Sequence, residues 1–147
     1  AWCRHHRIYR LSLIEATDSP LFHNAALRKR VSLGEARAIV DWMARREEDG
    51  GGGGRRAEWI DPATKSAAWI WWRRPEEWAA VLVDWVEGTG QKNVVLTVYE
   101  LVHGEATLSQ EWHGMDQDVM MKTLNVLVKR GKAQVFGSEG QEGVKFF

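Results

Sequence analysis

The residues best suited to metal chemistry lie at the start of the chain, where Cys3 is followed closely by His5 and His6. Thiolate and imidazole groups are the usual protein ligands of zinc. These three residues lack the paired spacing of known zinc motifs, and the three remaining histidines add no such spacing. We therefore interpret the cluster as part of a helix surface rather than as a metal site.

The rest of the sequence contains no catalytic motif. Glu76 and Glu77 are adjacent carboxylates, but they follow Pro75 at a helix start, where the positive end of the helix dipole favours acidic side chains. The glycine run Gly50–Gly54 lacks the Lys-Ser/Thr pair of a phosphate-binding loop and is interpreted as a flexible surface loop. We expect a protein that is not an enzyme and that uses no cofactor and no metal.

Tryptophan is concentrated near the midpoint of the chain, just before Pro75. If this segment is a strand, alternation places Trp69 and Trp71 on one face and Ile70 and Trp72 on the other. Only one of these faces can point into the core of a small domain. The other face requires a different neighbour.

Two interpretations of that other face stay open. In the first, that face packs on the neighbouring domain where the two domains meet. Alternatively, with Arg73 or Arg74 it forms the mixture of tryptophan and arginine that is typical of binding hot spots. Both interpretations can hold together.

The elements around this segment indicate where the domains meet. Pro75 suits the first turn of a helix. Apolar residues then recur at the spacing of one helical face, at Trp78, Val81, Leu82, Trp85 and Val86. A strand therefore runs almost directly into a helix, which predicts two small domains rigidly abutted.

The same order of elements is predicted in each half of the chain. The first half contains a basic helix near 4–10, a strand at 11–14, a helix from Ser19-Pro20 with Leu21, Phe22, Ala25 and Ala26 buried, a helix after the capping box Ser32–Glu35 with Leu33, Ala36, Val40 and Met43 on its apolar face, and hairpin strands at 57–60 and 67–72. The second half contains a helix from Pro75 to about Gly88, a strand at 94–98 passing into 99–102, a helix capped by Asp116 with Val119, Met120, Leu124, Leu127 and Val128 on its apolar face, and hairpin strands at 133–136 and 143–147.

Helix, strand, helix, helix and hairpin is the order of a winged helix. The predicted fold class is therefore α+β, mainly α, with two tandem winged-helix domains at 1–74 and 75–147 packed rigidly end to end. About 75 residues each is within the usual range for small domains.

The formal net charge of zero conceals an asymmetry between the two halves. Residues 1–74 hold 14 Lys/Arg against 9 Asp/Glu, a net +5, whereas residues 75–147 hold 6 against 11, a net −5. A basic half can face nucleic acid, lipid headgroups or an acidic protein. An acidic half repels phosphate and suits a basic peptide or helix.

Winged helices often read DNA with their third helix, which makes nucleic-acid binding through the basic first half the alternative function. In the first half that helix carries Arg37, Arg45 and Arg46 beside acidic residues. DNA recognition usually needs a concentrated basic face. The near balance of charge favours a protein partner over DNA.

Several short segments, collinear over nearly all 147 residues, carry a family resemblance. They are Trp72-Arg73-Arg74-Pro75-Glu76-Glu77-Trp78, Glu15-Ala16 through Ser19-Pro20-Leu21-Phe22, Thr97-Val98-Tyr99-Glu100-Leu101, Gly104-Glu105, His113-Gly114 and Gly143-Val144-Lys145-Phe146-Phe147. Together they resemble the vacuolar protein sorting-associated protein 25 family of ESCRT-II subunits. Members of that family have roughly two further helical turns between the positions of Trp2 and Cys3, so residues are expected to be absent there.

The resemblance implies a non-enzymatic adaptor that helps to sort ubiquitinated cargo into multivesicular bodies. Two copies would join the two other ESCRT-II subunits. The second domain would engage the basic N-terminal helix of an ESCRT-III subunit and promote its assembly. Such a protein is cytoplasmic, is recruited peripherally and indirectly to endosomal membranes, and is not expected to bind nucleic acid.

The resemblance also suggests partner-binding residues in each domain. In the first domain, Arg73 matches an arginine at the contact with the core subunits, and we add its neighbours Arg74 and Trp71. In the second domain, the ESCRT-III helix is expected near Leu96, Thr97 and Lys145, chosen by their position alone.

Overall fold

The structure is a computed structural model that describes residues 1–45 and 54–147. The chain forms two compact units, Ala1–Arg74 and Pro75–Phe147. Each is described by itself, and the rigid abutment of the two domains stays a prediction. The predicted loop Gly50–Gly54 lies outside the described residues except for Gly54.

The first unit packs short helices on a three-stranded antiparallel sheet with the strand order β1-β5-β4. A two-stranded ribbon, β2-β3, is added between α2 and α3. The elements are α1 (Trp2–His5), β1 (Arg10–Ser12), α2 (Leu13–Ala16), β2 (His23–Asn24), β3 (Lys29–Arg30), α3 (Leu33–Ala44), β4 (Ala57–Trp59) and β5 (Ala67–Ile70).

The core of the first unit lies between α2, α3 and one face of the sheet. Its buried members are Leu11, Leu13, Ala16, Ala36, Val40, Ala57, Ala68 and Ile70. Many of these side chains are small, so partly buried neighbours such as Phe22, Met43 and Trp72 complete the packing.

The second unit has the same order of elements with longer helices. Its antiparallel sheet has the strand order β6-β8-β7. The elements are α4 (Pro75–Thr89), β6 (Val95–Thr97), α5 (Val98–His103), a 3-10 turn (Glu105–Thr107), α6 (Gln117–Lys129), β7 (Ala133–Phe136) and β8 (Gly143–Phe146). Helix α4 packs against α6 and buries Trp78, Ala79, Leu82, Trp85 and Val86.

The structure confirms the predicted fold class of two tandem winged helices, and most helices and strands lie where they were predicted. The capping box Ser32–Glu35 opens α3, and Asp116 caps α6. Val128 is an exception to the predicted apolar face of α6, because its side chain is exposed. Over the residues that the structure describes, no helix is long and apolar enough to cross a membrane.

The predicted helix from Ser19-Pro20 is wrong. The Ser19 hydroxyl donates to the carbonyl of Ala16 and accepts from the amide of Leu21, which closes a turn after α2. Asn24 then accepts a hydrogen bond from the Leu27 amide, and local side-chain bonds of this kind compete with a helix. The segment forms the β2-β3 ribbon, and Ala25 and Ala26, predicted to be buried, are exposed.

The predictions before that turn are also corrected. The basic helix predicted near 4–10 is only the four residues of α1, followed at Arg7 by a left-handed backbone with a φ of 52°. The strand predicted at 11–14 is Arg10–Ser12, and Leu13 already begins α2. The short apolar run was ambiguous because strand and helix cannot be separated over so few residues.

Candidate partner-binding surfaces

Trp72 fixes the chain where it leaves β5. Its indole nitrogen donates to the carbonyl oxygen of Ile8 at 2.9 Å, and its ring lies 5.2 Å from that of Tyr9. The side chain also packs partly against the core. Trp72 therefore stabilises the first unit and fixes the position of the backbone just before Arg73 and Arg74.

The predicted alternation of tryptophans is confirmed. The rings of Trp69 and Trp71 stack with their centroids 6.0 Å apart, whereas Ala68 and Ile70 belong to the core on the opposite face. Trp69 is 6% exposed and Trp71 is 4% exposed. The buried side chain of Trp71 leaves little surface for a partner, so we narrow the predicted contact to its arginine neighbours.

Arg73 and Arg74 are both partly exposed. The guanidinium group of Arg74 lies directly against Gly54, so closely that a Cβ atom there would collide with it. Arg74 is therefore held against its own unit. The predicted contact with the core subunits depends chiefly on Arg73, and it stays a prediction.

The second predicted set lies on the neighbouring strands β6 and β8, but on two different faces of their sheet. Val95 pairs with Lys145 and Thr97 pairs with Gly143, whereas Leu96 pairs with the buried Val144. Because side chains alternate along a strand, Leu96 points away from the face that carries the other two. The three residues therefore do not form one surface.

Leu96 lines a small apolar pocket of about 160 Å³. Trp85 and Leu101 form its apolar wall, and Glu100 and Glu105 lie around it. Apolar space beside two carboxylates suits an apolar side chain that is flanked by basic residues. We call this site the Leu96 pocket.

Thr97 is the N-cap residue of α5, a role that was not predicted from the sequence. Its hydroxyl accepts from the Glu100 amide at 2.9 Å, and the Glu100 carboxylate accepts from the Thr97 amide at 3.2 Å. This is a complete capping box at the start of α5. The pattern Thr97-x-x-Glu100 is a capping-box sequence like Ser32-x-x-Glu35, so the sequence alone predicts this cap.

Lys145 lies on the outer face of the sheet. Its ammonium nitrogen is 5.7 Å from the centre of the Phe147 ring, and Val95 and Phe136 are exposed on the same face. This face is apolar with a positive charge. Such a charge disfavours a basic partner helix.

The third helix of the first unit offers little to DNA. The guanidinium group of Arg37 donates to the carbonyl oxygens of Thr64 and Lys65, at 3.3 and 3.2 Å. Arg45 is exposed, and Arg46 lies outside the described residues. Within residues 1–45 and 54–147, no group of three or more His, Cys, Asp or Glu side chains could hold a metal ion.

Fold and surfaces together define a tandem winged-helix protein. A sequence model described as "ESCRT-II complex subunit" matches residues 1–116. Vacuolar protein-sorting-associated protein 25 of Xenopus laevis is 34% identical over all of this chain and 79% of its own length, and the Homo sapiens protein is 34% identical over 78% of its length. The crystal structure of subunit VPS25 of the endosomal trafficking complex ESCRT-II superposes with a TM-score of 0.78 at 25% identity, over 98% of this chain and 79% of that one.

The chain belongs to the ESCRT-II complex subunit family, alongside relatives named vacuolar protein-sorting-associated protein 25. That membership rests on a match over most of the chain and on identity above 30% over most of each relative.

Proposed function

We propose that this chain is an ESCRT-II adaptor in the sorting of ubiquitinated cargo into multivesicular bodies. It joins the two other ESCRT-II subunits, two copies per complex, and links them to an ESCRT-III subunit whose assembly it promotes. Solved structures similar in fold are of an ESCRT-II complex described as VPS22/VPS25/VPS36, which supports the identity of the core partners. The protein works in the cytoplasm and reaches endosomal membranes indirectly, through its partners.

The core contact is proposed to lie at Arg73. Its side chain is partly exposed just beyond Trp72, which anchors the backbone through the carbonyl oxygen of Ile8. Arginine and tryptophan are enriched among the few residues that carry most of the binding energy at protein interfaces, which supports Arg73 as such a residue.

The test of this contact is Arg73→Asp against Arg55→Asp, which makes the same charge change at another exposed basic position of this unit. We expect Arg73→Asp to weaken binding to the two core subunits by roughly a hundredfold, as for a hot-spot residue, and Arg55→Asp to change it little. Equal binding by the two folded variants would remove Arg73 from the contact.

The ESCRT-III contact is proposed to lie at the Leu96 pocket. The observation that carries this proposal is the acidic surrounding of the pocket, Glu100 and Glu105, within a unit of net charge −5. A basic amphipathic helix can insert one apolar side chain beside Leu96 and place its cations near the two carboxylates. The outer sheet face, with Lys145, lacks this complementarity.

The test follows the fluorescence anisotropy of a labelled N-terminal helix from an ESCRT-III subunit as protein is added. The unmodified chain is compared with the Glu105→Lys and Glu139→Lys variants. Both glutamates are exposed, but Glu139 lies in the turn between β7 and β8 and outside the pocket lining. We expect roughly tenfold weaker binding for Glu105→Lys only. Weakening by Val95→Asp instead would move the contact to the outer sheet face.

A labelled DNA duplex serves as the control at the same salt concentration. Saturable binding to the duplex alone would favour the alternative, a nucleic-acid-binding tandem winged helix. Such binding should fall steeply with salt as counterions are released.

A further inference from the structure

Most basic residues of the second unit are gathered at one end of it. Four of its six lysines and arginines are Lys92, Lys129, Arg130 and Lys132, and all four side chains are exposed. Lys92 lies in the loop between α4 and β6, and the other three lie where α6 ends and the chain passes into β7. We call these four residues the basic end.

Strand β8 brings the two loops of the basic end together. It is the central strand of its sheet, with β6 on one side and β7 on the other. The Asn93 amide donates to the carbonyl oxygen of Phe146 at 2.7 Å, and the Phe147 amide donates to the carbonyl oxygen of Lys132 at 2.9 Å. Lys92 and Lys132 consequently line the same small cavity.

The charge of the basic end is largely uncompensated. Lys92 forms an exposed ion pair with Glu87 at 3.3 Å, whereas the side chains of Lys129, Arg130 and Lys132 find no partner among the residues that the structure describes. The four cations and Glu87 together carry a net +3. Helix C-termini favour cations, but each carries only about half a negative charge. The ends of α4 and α6 therefore offset only about one unit of this charge.

Most acidic residues of the second unit lie far from the basic end. Asp116 and Asp118 lie at the start of α6, a helix of 13 residues and about 20 Å that ends at Lys129. Glu139 and Glu142 lie between β7 and β8, at the opposite end of the sheet. Charges separated by more than about 10 Å are largely screened at 0.1 M salt. A ligand at the basic end therefore meets a positive surface, although the unit as a whole is acidic.

Exposed valines accompany these cations. Val94 lies two residues after Lys92, Val128 directly precedes Lys129, and each valine is 41% exposed. The cavity that Lys92 and Lys132 line is only about 30 Å³, far below the roughly 300 Å³ at which ligand pockets begin. Cations and exposed aliphatic side chains without a deep pocket suit a membrane surface, where anionic headgroups cover an apolar layer.

We propose that the basic end binds the surface of an anionic membrane, in direct contact with lipid headgroups. The cations attract the phosphate and carboxylate groups of the lipids, and Val94 and Val128 enter the apolar edge of the interface. Each basic residue near such a surface raises the affinity roughly fivefold. Four of them give weak, reversible binding, which adds to recruitment through partners. The basic end shares no residue with the Arg73 contact or with the lining of the Leu96 pocket.

Co-sedimentation of the full chain with vesicles tests the proposal. We expect binding at low salt to vesicles that contain phosphatidylserine and none to vesicles of phosphatidylcholine alone. Arg130→Glu combined with Lys132→Glu should weaken this binding by at least about twentyfold. Lys29→Glu combined with Arg55→Glu is the matched control, because it makes the same charge change at exposed positions of the first unit. Equal weakening in the two double variants, or no binding by the unmodified chain, would overturn the proposal.

An environment-sensitive fluorescent label locates the contact. The single cysteine is first removed by Cys3→Ser, and the label is then attached through Val128→Cys. Its emission should shift to shorter wavelength on vesicles with phosphatidylserine. A label attached through Glu139→Cys, at the opposite end of the sheet, should not shift. The same response at both positions, or none at Val128, would contradict a membrane contact at the basic end.

Soluble anions separate a membrane from other acidic ligands. Inorganic phosphate and a labelled polyglutamate peptide offer the same charged groups without an apolar layer. We expect neither to bind saturably, and Val128→Asp should weaken vesicle binding. Saturable binding of phosphate that is lost on combining Arg130→Glu with Lys132→Glu would instead assign the basic end to free phosphate. The same result with polyglutamate would assign it to an acidic protein segment, and either result would overturn the membrane proposal.

Discussion

At the scale of single residues, Asp41 holds the turn between β4 and β5 to helix α3. Its carboxylate accepts hydrogen bonds from the Lys65 ammonium at 2.9 and 3.2 Å and from the Trp59 indole at 2.9 Å. The hydrogen bonds from Lys65, and then Trp59, lower the pKa of Asp41. These bonds fix the hairpin to α3.

The lowered pKa predicts how pH affects this contact. A carboxyl group whose folded pKa lies below its unfolded value of about 3.9 stabilises the fold above that value and loses the effect as pH falls through the folded pKa. Asp41→Asn should therefore lower the melting temperature at neutral pH, and the difference should shrink as pH falls through the lowered pKa of Asp41. Thermal melts of the two proteins over a series of decreasing pH values measure this.

Asp18→Asn is the matched control, because Asp18 pairs with Arg30 at 3.1 Å but both side chains are largely exposed. Exposed ion pairs contribute little to stability, so this variant should melt close to the unmodified protein throughout. A constant difference for Asp41→Asn across the pH range would contradict the proposed role of its charge.

The sequence could predict which residues lie in a candidate site only as far as side-chain alternation allows. The shared face of Trp69 and Trp71 was predictable because period two follows from strand geometry alone. The burial of Trp71 was not, because it depends on packing. Leu96 and Lys145 lie on opposite faces of the sheet because of the register in which β6 pairs with β8, and local sequence does not specify that register.

At the scale of elements, two capping boxes of the same kind begin helices that do not correspond between the two units. Ser32 caps α3, the third helix of its unit, and Thr97 caps α5, the second helix of its unit. Each box satisfies two backbone amides at a helix start, where intrahelical partners are missing. Helix α5 has only six residues, so it depends strongly on its cap.

Thr97→Ala should lower the free energy of unfolding of the second unit by about 1 kcal/mol, because the Glu100 amide loses its acceptor. Thr97→Ser keeps the hydroxyl and should retain most of the stability. Chemical denaturation of the three proteins gives the comparison. If Thr97 also contacts the ESCRT-III helix, Thr97→Ala will weaken binding even where the protein is fully folded.

Long periodic helices and the hairpin strands of both units were predictable, whereas the short elements between α1 and β3 were not. Apolar periodicity and capping residues predicted helices α3, α4 and α6. The segment from Ser19 to Arg30 was not predictable in this way, because local hydrogen bonds from Ser19 and Asn24 override a weak helical pattern. A left-handed residue, Arg28 with a φ of 52°, then turns the chain into β3.

At the scale of the whole molecule, the division of charge between the two halves determines how binding responds to salt. The second unit has a net charge of −5, and its proposed ESCRT-III partner helix is basic. Screening shortens the range of that attraction from about 30 Å at 0.01 M salt to about 3 Å at 1 M. Long-range attraction mainly accelerates association.

We therefore expect the association rate of the ESCRT-III helix to fall as salt rises, with a smaller change in its dissociation rate. Stopped-flow anisotropy at several salt concentrations separates the two rates. A rate of association that does not depend on salt would mean that the acidic charge of the second unit has no part in binding.

The tight enclosure of Trp112 gives the second unit an internal hydrogen-exchange probe. Its side chain is 0% exposed, and its indole nitrogen donates to the Leu101 carbonyl at 3.0 Å. Solvent deuterons can replace that proton only when the core opens, whereas the exposed indole of Trp42 exchanges without any opening. The exchange rate of the Trp112 proton in an NMR spectrum therefore measures the free energy of that opening in the intact chain.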